Sequence, residues 1–281
     1  MLSTACAHIP ISRSTVATHA QSSFVTIQQV ALYQALICEG PGDCVPIGPP
    51  IKVLVGSGSG GVIAHQGPNT RILTAKHVVA SAITHAKPII SPKTLNELIH
   101  RAAALSEDDP AWIRELVEAR SVAFTGLYFE YYINFSDGTT DKAIGFRCDK
   151  KHDICQVSTA NLHKNIPIIK LASTGPRLGD RVYCASAPFG NAIPGHAVPY
   201  FSGLYSGTDF ETSRFPAYAW YTFPASPGSS GSLILNDRGE FVGVLIGMSV
   251  GMLCTDAGCT PMASGVTIAV PYKEVKKFLD E

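Results

Sequence analysis

Charge is scarce in this chain, and what there is cancels. Only 16% of its 281 residues are Asp, Glu, Lys or Arg, split 22 against 22, so no net field draws in a polyanion and nucleic acid is excluded as a partner class. Long apolar runs are missing too. Nothing approaches the roughly 20 consecutive apolar residues that a bilayer-spanning helix needs, so no transmembrane segment is expected. No acidic residue occurs between Asp43 and Glu97, and the eight cysteines never take the C-x-x-C spacing of a zinc knuckle or dithiol redox site. What is abundant is apolar material, 46% of the chain, which is enough for a large core and rules out a disordered chain.

Six cysteines fall into near pairs around turn-like sequence: Cys38 with Cys44, Cys148 with Cys155, and Cys254 with Cys259. These read as three short-loop disulfides, which point to an oxidising, extracytoplasmic compartment, periplasmic or secreted. Six reduced, buried thiols are the other reading. Loops this short contribute only about 2 kcal/mol each through chain entropy, so the bridges are expected to act as local clamps. Cys6 and Cys184 are left over. Leu2 to Cys6 faintly matches a lipoprotein cleavage site, but the apolar core and basic start of a signal are not visible.

The first 22 residues or so are rich in Ser, Thr and Ala and read as poorly ordered. Ser23 to Cys38 reads as a helix, with an apolar stripe through Phe24, Ile27, Ala31, Ala35 and Cys38. From Ile51 onward, short β-branched runs alternate with Gly, Pro, Asn and Asp, an all-β pattern. Ser91 to Arg120 interrupts it as two helices, the second starting at Pro110 behind Asp109. Its charge suggests an insertion on the surface of a β scaffold. Tyr272 to Glu281 is expected to form a short amphipathic helix.

Gly56-Ser-Gly58-Ser-Gly60-Gly61 matches G-x-G-x-x-G literally. It fails as a dinucleotide fingerprint, because a strand and a Gly67-Pro68-Asn69 turn follow where a helix must open, and no acidic residue stands about 20 positions on. A tight small-residue crossing between strands is the reading that remains. His77, in Thr74-Ala75-Lys76-His77-Val78-Val79, ends an apolar run where the chain must turn. Asp153 leads directly into an apolar segment, a place where a charge must accept hydrogen bonds. Ser230 lies in Gly228-Ser229-Ser230-Gly231-Ser232. The order His, Asp, Ser is one of three chain orders known for a single nucleophilic geometry. A serine hydroxyl needs a base within hydrogen-bond reach, and that base needs a carboxylate to fix its tautomer. Gly228 lets the loop curl so that the amides of Gly228 and Ser230, with Ser229 between them, converge on one oxyanion.

These motifs resemble the trypsin-like serine proteases of the chymotrypsin fold, and more narrowly the protease domain of the HtrA (DegP-like) group without its PDZ domain. The likeness runs from about residue 50 to 279. It includes TAKHVV, NFSDGTTDKAIGFRCDKKHDICQV, IPIIKLASTGPRLGDRVYCASAPFG, SPGSSGSLILNDRGEFVGVLIG and GVTIAVPYKEVKKFL. It departs from the family pattern at Ser229, at Ser232-Leu233, at Ala187, and in the length of chain between His77 and Asp153. The resemblance implies two six-stranded antiparallel β-barrels with a helical insertion and a C-terminal helix. A first lobe of residues 51–160 would carry His77 and Asp153, and a second of residues 161–281 would carry Ser230. Residues 1–50 would form an N-terminal extension. Pro224, Ala225 and Ser226, Leu245 to Met248, and Gly265 would line the specificity pocket, with Ile246, Gly247 and Met248 pairing an extended substrate strand. None of these is charged, so cleavage after a small or medium apolar residue is expected rather than after Arg or Lys. The implied partner is a polypeptide substrate, and no metal or organic cofactor is required. Two other readings are a non-catalytic binding module on this fold and a protease that processes its own precursor.

Overall fold

The computed structural model describes residues 12–40, 43–84, 86–106, 109–118, 122–188, 198–209, 216–255 and 258–281, and for 39, 83, 105, 106, 251–255 and 258–264 the backbone alone. A helix, α1 (Arg13–Ser23), precedes β1 (Phe24–Gly40), β2 (Asp43–Gln66) and β3 (Asn69–Thr74). A 3-10 turn at Lys76–Val79 leads into α2 (Ala80–Ile83), α3 (Pro92–Ser106) and α4 (Pro110–Glu118). Then come β4 (Val122–Phe135), β5 (Thr140–Cys148) and β6 (Cys155–Thr159), followed by β7 (Arg181–Ala185), β8 (Tyr200–Thr208) and β9 (Ala219–Tyr221). The chain finishes through β10 (Leu233–Leu235), β11 (Phe241–Thr255), β12 (Gly258–Pro271) and α5 (Tyr272–Asp280).

The strands close into two barrels, ordered β1–β2–β3–β6–β5–β4 and β10–β11–β12–β9–β8–β7. This is the chymotrypsin-like, all-β architecture of two antiparallel six-stranded β-barrels. Closure pairs each strand with a neighbour on both sides around each barrel.

Two elements differ from the sequence reading. Residues 13–23 form a helix rather than irregular chain: Ser12 caps it by accepting the Thr15 amide, and Val16 and Ala20, one turn apart, are buried. An apolar stripe two residues long carries almost no periodic signal. Phe24–Gly40 is strand β1 and not a helix. Ala31, Tyr33 and Ala35 alternate into one core with Ile51 and Val53, a period of two that Leu32 and the helix-forming Ala and Gln residues obscure. Strand pairing overrides local propensity here.

The chain divides into two compact units. One comprises Met1–Ile27, Ser57–Val78 and Ile133–Glu281, and the other Gln28–Gly56 with Val79–Tyr132. In the second unit, α3 is part of the core rather than a surface addition, since Leu98 packs with Ala31, Tyr33, Ile51 and Val53. Its next turn, through Ile99 and Ala103, meets Ile113 of α4. The Asp109 carboxylate accepts the Ala111 amide at 2.8 Å and starts α4. In the first unit the core runs through Leu73, Ile154, Tyr183, Leu233, Leu235, Phe241 and Val270, and Val275 and Phe278 of α5 close it.

Candidate active site

Strand β3 is buried through Leu73 and Thr74, and Ala75 is fully covered as well, so the chain has to turn before it can present a polar side chain. The 3-10 turn at Lys76–Val79 does this and leaves His77 about half exposed, at 47% of its side chain. Asp153 grips His77 at two points. Its Oδ1 accepts the His77 backbone amide at 2.8 Å, and its Oδ2 pairs with the imidazole Nδ1 at 2.6 Å. A carboxylate only accepts hydrogen bonds, so Nδ1 carries a proton in this pair and Nε2 is the nitrogen turned away from Asp153.

The turn that presents Asp153 is itself held closely. The Asp149 carboxylate accepts the amides of Lys151 at 2.7 Å and His152 at 2.6 Å. Burial pushes the Asp149 carboxyl up, but these amides and the His152 ring outweigh it and hold the group below its ordinary value. The Asp149 amide donates to Ile154 O at 3.0 Å, and Lys76 Nζ donates to Asp149 O at 2.7 Å. A disulfide between Cys148 and Cys155 closes the turn at its base, where the two are cross-strand partners.

The loop that carries Ser230 is shaped by two left-handed glycines, Gly228 with φ 93° and Gly231 with φ 94°. At Gly231 a Cβ would overlap the Ser59 carbonyl and the Thr74 hydroxyl, so even alanine is excluded on contact grounds. The Ser229 amide is spent on Ser226 O at 2.9 Å and the Gly231 amide on Leu245 O at 2.7 Å. Among the described residues, the amides of Gly228 and Ser230 have no partner. Of the three expected oxyanion residues, Ser229 therefore has its amide engaged inside the loop.

Ser59 ties this loop to the strand that leads to His77. Its amide donates to Ser230 O at 2.7 Å, and its carbonyl accepts the Thr74 hydroxyl at 2.7 Å. The Ser230 hydroxyl donates to Ile246 O at 3.4 Å. Among the described residues no hydrogen bond joins it to His77, so the structure brings His77 and Asp153 together and leaves the serine leg open.

The expected pocket residues gather along β11 and β12. Leu245 is buried opposite Ala269, whereas Gly247 faces Ile268 and Met248 faces Thr267, which leaves Ile246 as a bulge residue. The Thr267 hydroxyl donates to Phe223 O at 2.6 Å and ties this wall to the segment of Pro224, Ala225 and Ser226. Gly265, exposed and with φ 73°, sits in a second register shift. Strand β10 pairs β11 only as far as Val244. Two cavities elsewhere in this unit, of about 260 and 410 Å³, are lined by residues that include Arg177, Arg181 and Arg238 in one and Tyr205, Tyr221 and Tyr272 in the other, and not by His77, Asp153 or Ser230.

A disulfide also joins Cys38 and Cys44. Cys254 and Cys259 are backbone register partners, but their side chains lie outside the described residues, as does Cys6. Cys184 is buried and free, its thiol pushed up to about 12 by burial. Among the described residues no three His, Cys, Asp or Glu side chains converge as a metal cage requires. Sequence reasoning missed Ser59, Thr74 and Asp149. The small-residue motif marked the crossing but not the hydrogen bonds made there.

Residues 58–244 match the model of the trypsin-like peptidase domain. That is more than half of the 281 residues, and the chain belongs to this family. No curated protein matches the chain closely enough to add a relative to that assignment.

Proposed function

We propose that this protein is a serine endopeptidase of the trypsin-like class, working through an acyl-enzyme. The observation that carries the reading is the two-point grip of Asp153 on His77, at 2.8 and 2.6 Å, in a chain of this family. In the proposed reaction Ser230 Oγ attacks the scissile carbonyl carbon while His77 Nε2 takes the hydroxyl proton. The carbonyl oxygen becomes an oxyanion that the free amides of Gly228 and Ser230 receive. The C–N bond then breaks as His77 returns the proton to the leaving amine. Water, deprotonated by His77, cleaves the resulting ester and restores Ser230. Asp153 holds the imidazole tautomer and stabilises its cation.

The substrate is proposed to be a polypeptide whose extended backbone lies along Ile246, Gly247 and Met248, where β11 has run past its β10 partner. A small or medium apolar side chain would enter between Pro224, Ala225, Ser226, Leu245 and Gly265. Within the family, the motifs favour the HtrA-like group. The two disulfides are compatible with an extracytoplasmic location.

The open serine leg favours a second reading, a binding module that holds peptides without cutting them, because Ser230 Oγ turns to Ile246 O. Labelling with a fluorophosphonate separates the two. Wild type is expected to label on Ser230 and Ser230→Ala not at all, whereas folded wild type that stays unlabelled would overturn the endopeptidase. A peptide-library cleavage profile with Ser230→Ala as control then reads the pocket preference.

A further inference from the structure

The small-residue motif at Gly56–Gly61 has one polar member that is completely covered. Ser59 has no exposed surface, and burying a hydroxyl is unfavourable unless it is bonded. All its hydrogen-bonding groups are engaged, and with three separate segments. Its hydroxyl donates to Gly228 O at 2.7 Å and accepts the Ala187 amide at 3.4 Å. Its amide donates to Ser230 O at 2.7 Å, and its carbonyl accepts the Thr74 hydroxyl at 2.7 Å.

These bonds fall on particular peptide planes. The Gly228–Ser229 plane is pinned at both ends, by the Ser59 hydroxyl at its carbonyl and by Ser226 O at its amide. The Ser230–Gly231 plane is pinned in the same way, by the Ser59 amide and by Leu245 O. Between them lies the Ser229–Ser230 plane, whose carbonyl accepts the Ser232 amide at 3.2 Å and whose own amide is left pointing free. A plane held between two fixed neighbours cannot rotate without breaking their bonds, so the free Ser230 amide has a set direction. Without the Ser59 hydroxyl, Gly228 O loses its donor and the first of the fixed planes loosens.

We infer that Ser59 is a positioning residue whose hydroxyl, by holding the Gly228–Ser229 plane, sets the direction of the free Ser230 amide that receives the oxyanion, while its carbonyl accepts Thr74 of the His77 segment. This rests on the endopeptidase reading and adds to it a residue that touches neither substrate nor reacting atom. Positioned donors act on the transition state more than on the bound substrate, so the effect belongs in kcat.

The test is Ser59→Ala, beside Ser59→Cys, which keeps the bulk and a weaker donor. Ser59→Ala is expected to lower kcat by about tenfold or more, short of the roughly 10²–10³ for losing an oxyanion donor outright, with KM within about threefold. Affinity for a peptide boronic acid should fall by a similar factor while affinity for an uncleavable peptide holds. Ser59→Cys should lie between the two. A Ser59→Ala enzyme with kcat within twofold of wild type, or with its loss in KM alone, overturns the inference. If Ser59→Ala does not fold, as read by circular dichroism, Ser59→Cys decides by the same criteria. If wild type neither cleaves nor labels, the endopeptidase reading fails by itself. Hydrogen exchange over residues 226–232 then decides the clasp: faster exchange in the folded variant supports it, and unchanged exchange overturns it.

Discussion

Asp153 performs two tasks with two oxygens, and they separate on mutation. Oδ1 holds the backbone of the turn at His77 and Oδ2 holds the ring. An asparagine can keep the first bond through its carbonyl but then turns an N–H₂ toward Nδ1, which forces the proton onto Nε2, the atom that has to accept one in the proposed reaction. Asp153→Asn is therefore expected to retain the fold, with little change in melting temperature, and to lose about 10⁴ in kcat. A variant within tenfold of wild type would mean that the carboxylate is structural. His77, Asp153 and Ser230 stood out as candidates in the sequence because each stands at a break in an apolar pattern where a polar group needs a reason; the structure pairs the first two. Ser59 was not legible. Its chain neighbours are glycines and a serine, and its four hydrogen bonds all go to residues distant in sequence.

At the scale of elements, the turn between β5 and β6 is the most consequential piece, since it carries Asp153 between two bridged cysteines. The Cys148–Cys155 bridge closes so short a loop that it adds only about 2 kcal/mol to global stability. Its effect should be local. Cys148→Ser with Cys155→Ser is expected to lower the rate of fluorophosphonate labelling several-fold while the thermal midpoint moves by only a few degrees. An unchanged labelling rate would show that Asp149 and Lys76 hold the turn unaided. Helices were readable where sequence chemistry marks their ends, as at Asp109-Pro110, and where an apolar stripe is strong, as in α5. Strand β1 was misread because Ala, Leu and Gln suit a helix and only the barrel's pairing makes them a strand. Nor did charge reveal that α3 sends Leu98 into a core: a charged outer face and a buried inner one coexist on one helix.

For the molecule as a whole, the balance of 22 basic and 22 acidic side chains means that pH acts through particular buried groups rather than through net repulsion. Asp141 is one of these. Burial pushes its carboxyl up, but His163, the amides of Asn161 and Lys142 and the Asn161 side chain together bring it below its ordinary value. A carboxyl lowered in the folded state stabilises the protein above its unfolded pKa of about 3.9, and that contribution is lost as pH falls through the lower folded value. Asp149 acts with the same sign. Urea midpoints should thus hold steady from neutrality to about pH 5 and fall steeply below about pH 4. Asp141→Asn should be less stable at neutral pH and show a shallower acid slope, and an unaltered slope would remove Asp141 from this role. The all-β character was legible from the spacing of β-branched runs and the two barrels were implied by the family resemblance, but the contribution of residues 24–40 and 43–50 to the first barrel was not legible, since the Ala, Leu and Gln of β1 carry no local strand signal.

The clasp from Ser59 to Gly228 spans 169 positions. A chain emerging from the ribosome meets this partner only after most of its length has been made, and contacts so remote form late. If Ser230 is the nucleophile proposed, its loop is thus expected to become ordered only after residues 226–232 have joined the Ser59 strand, a delay set by chain connectivity.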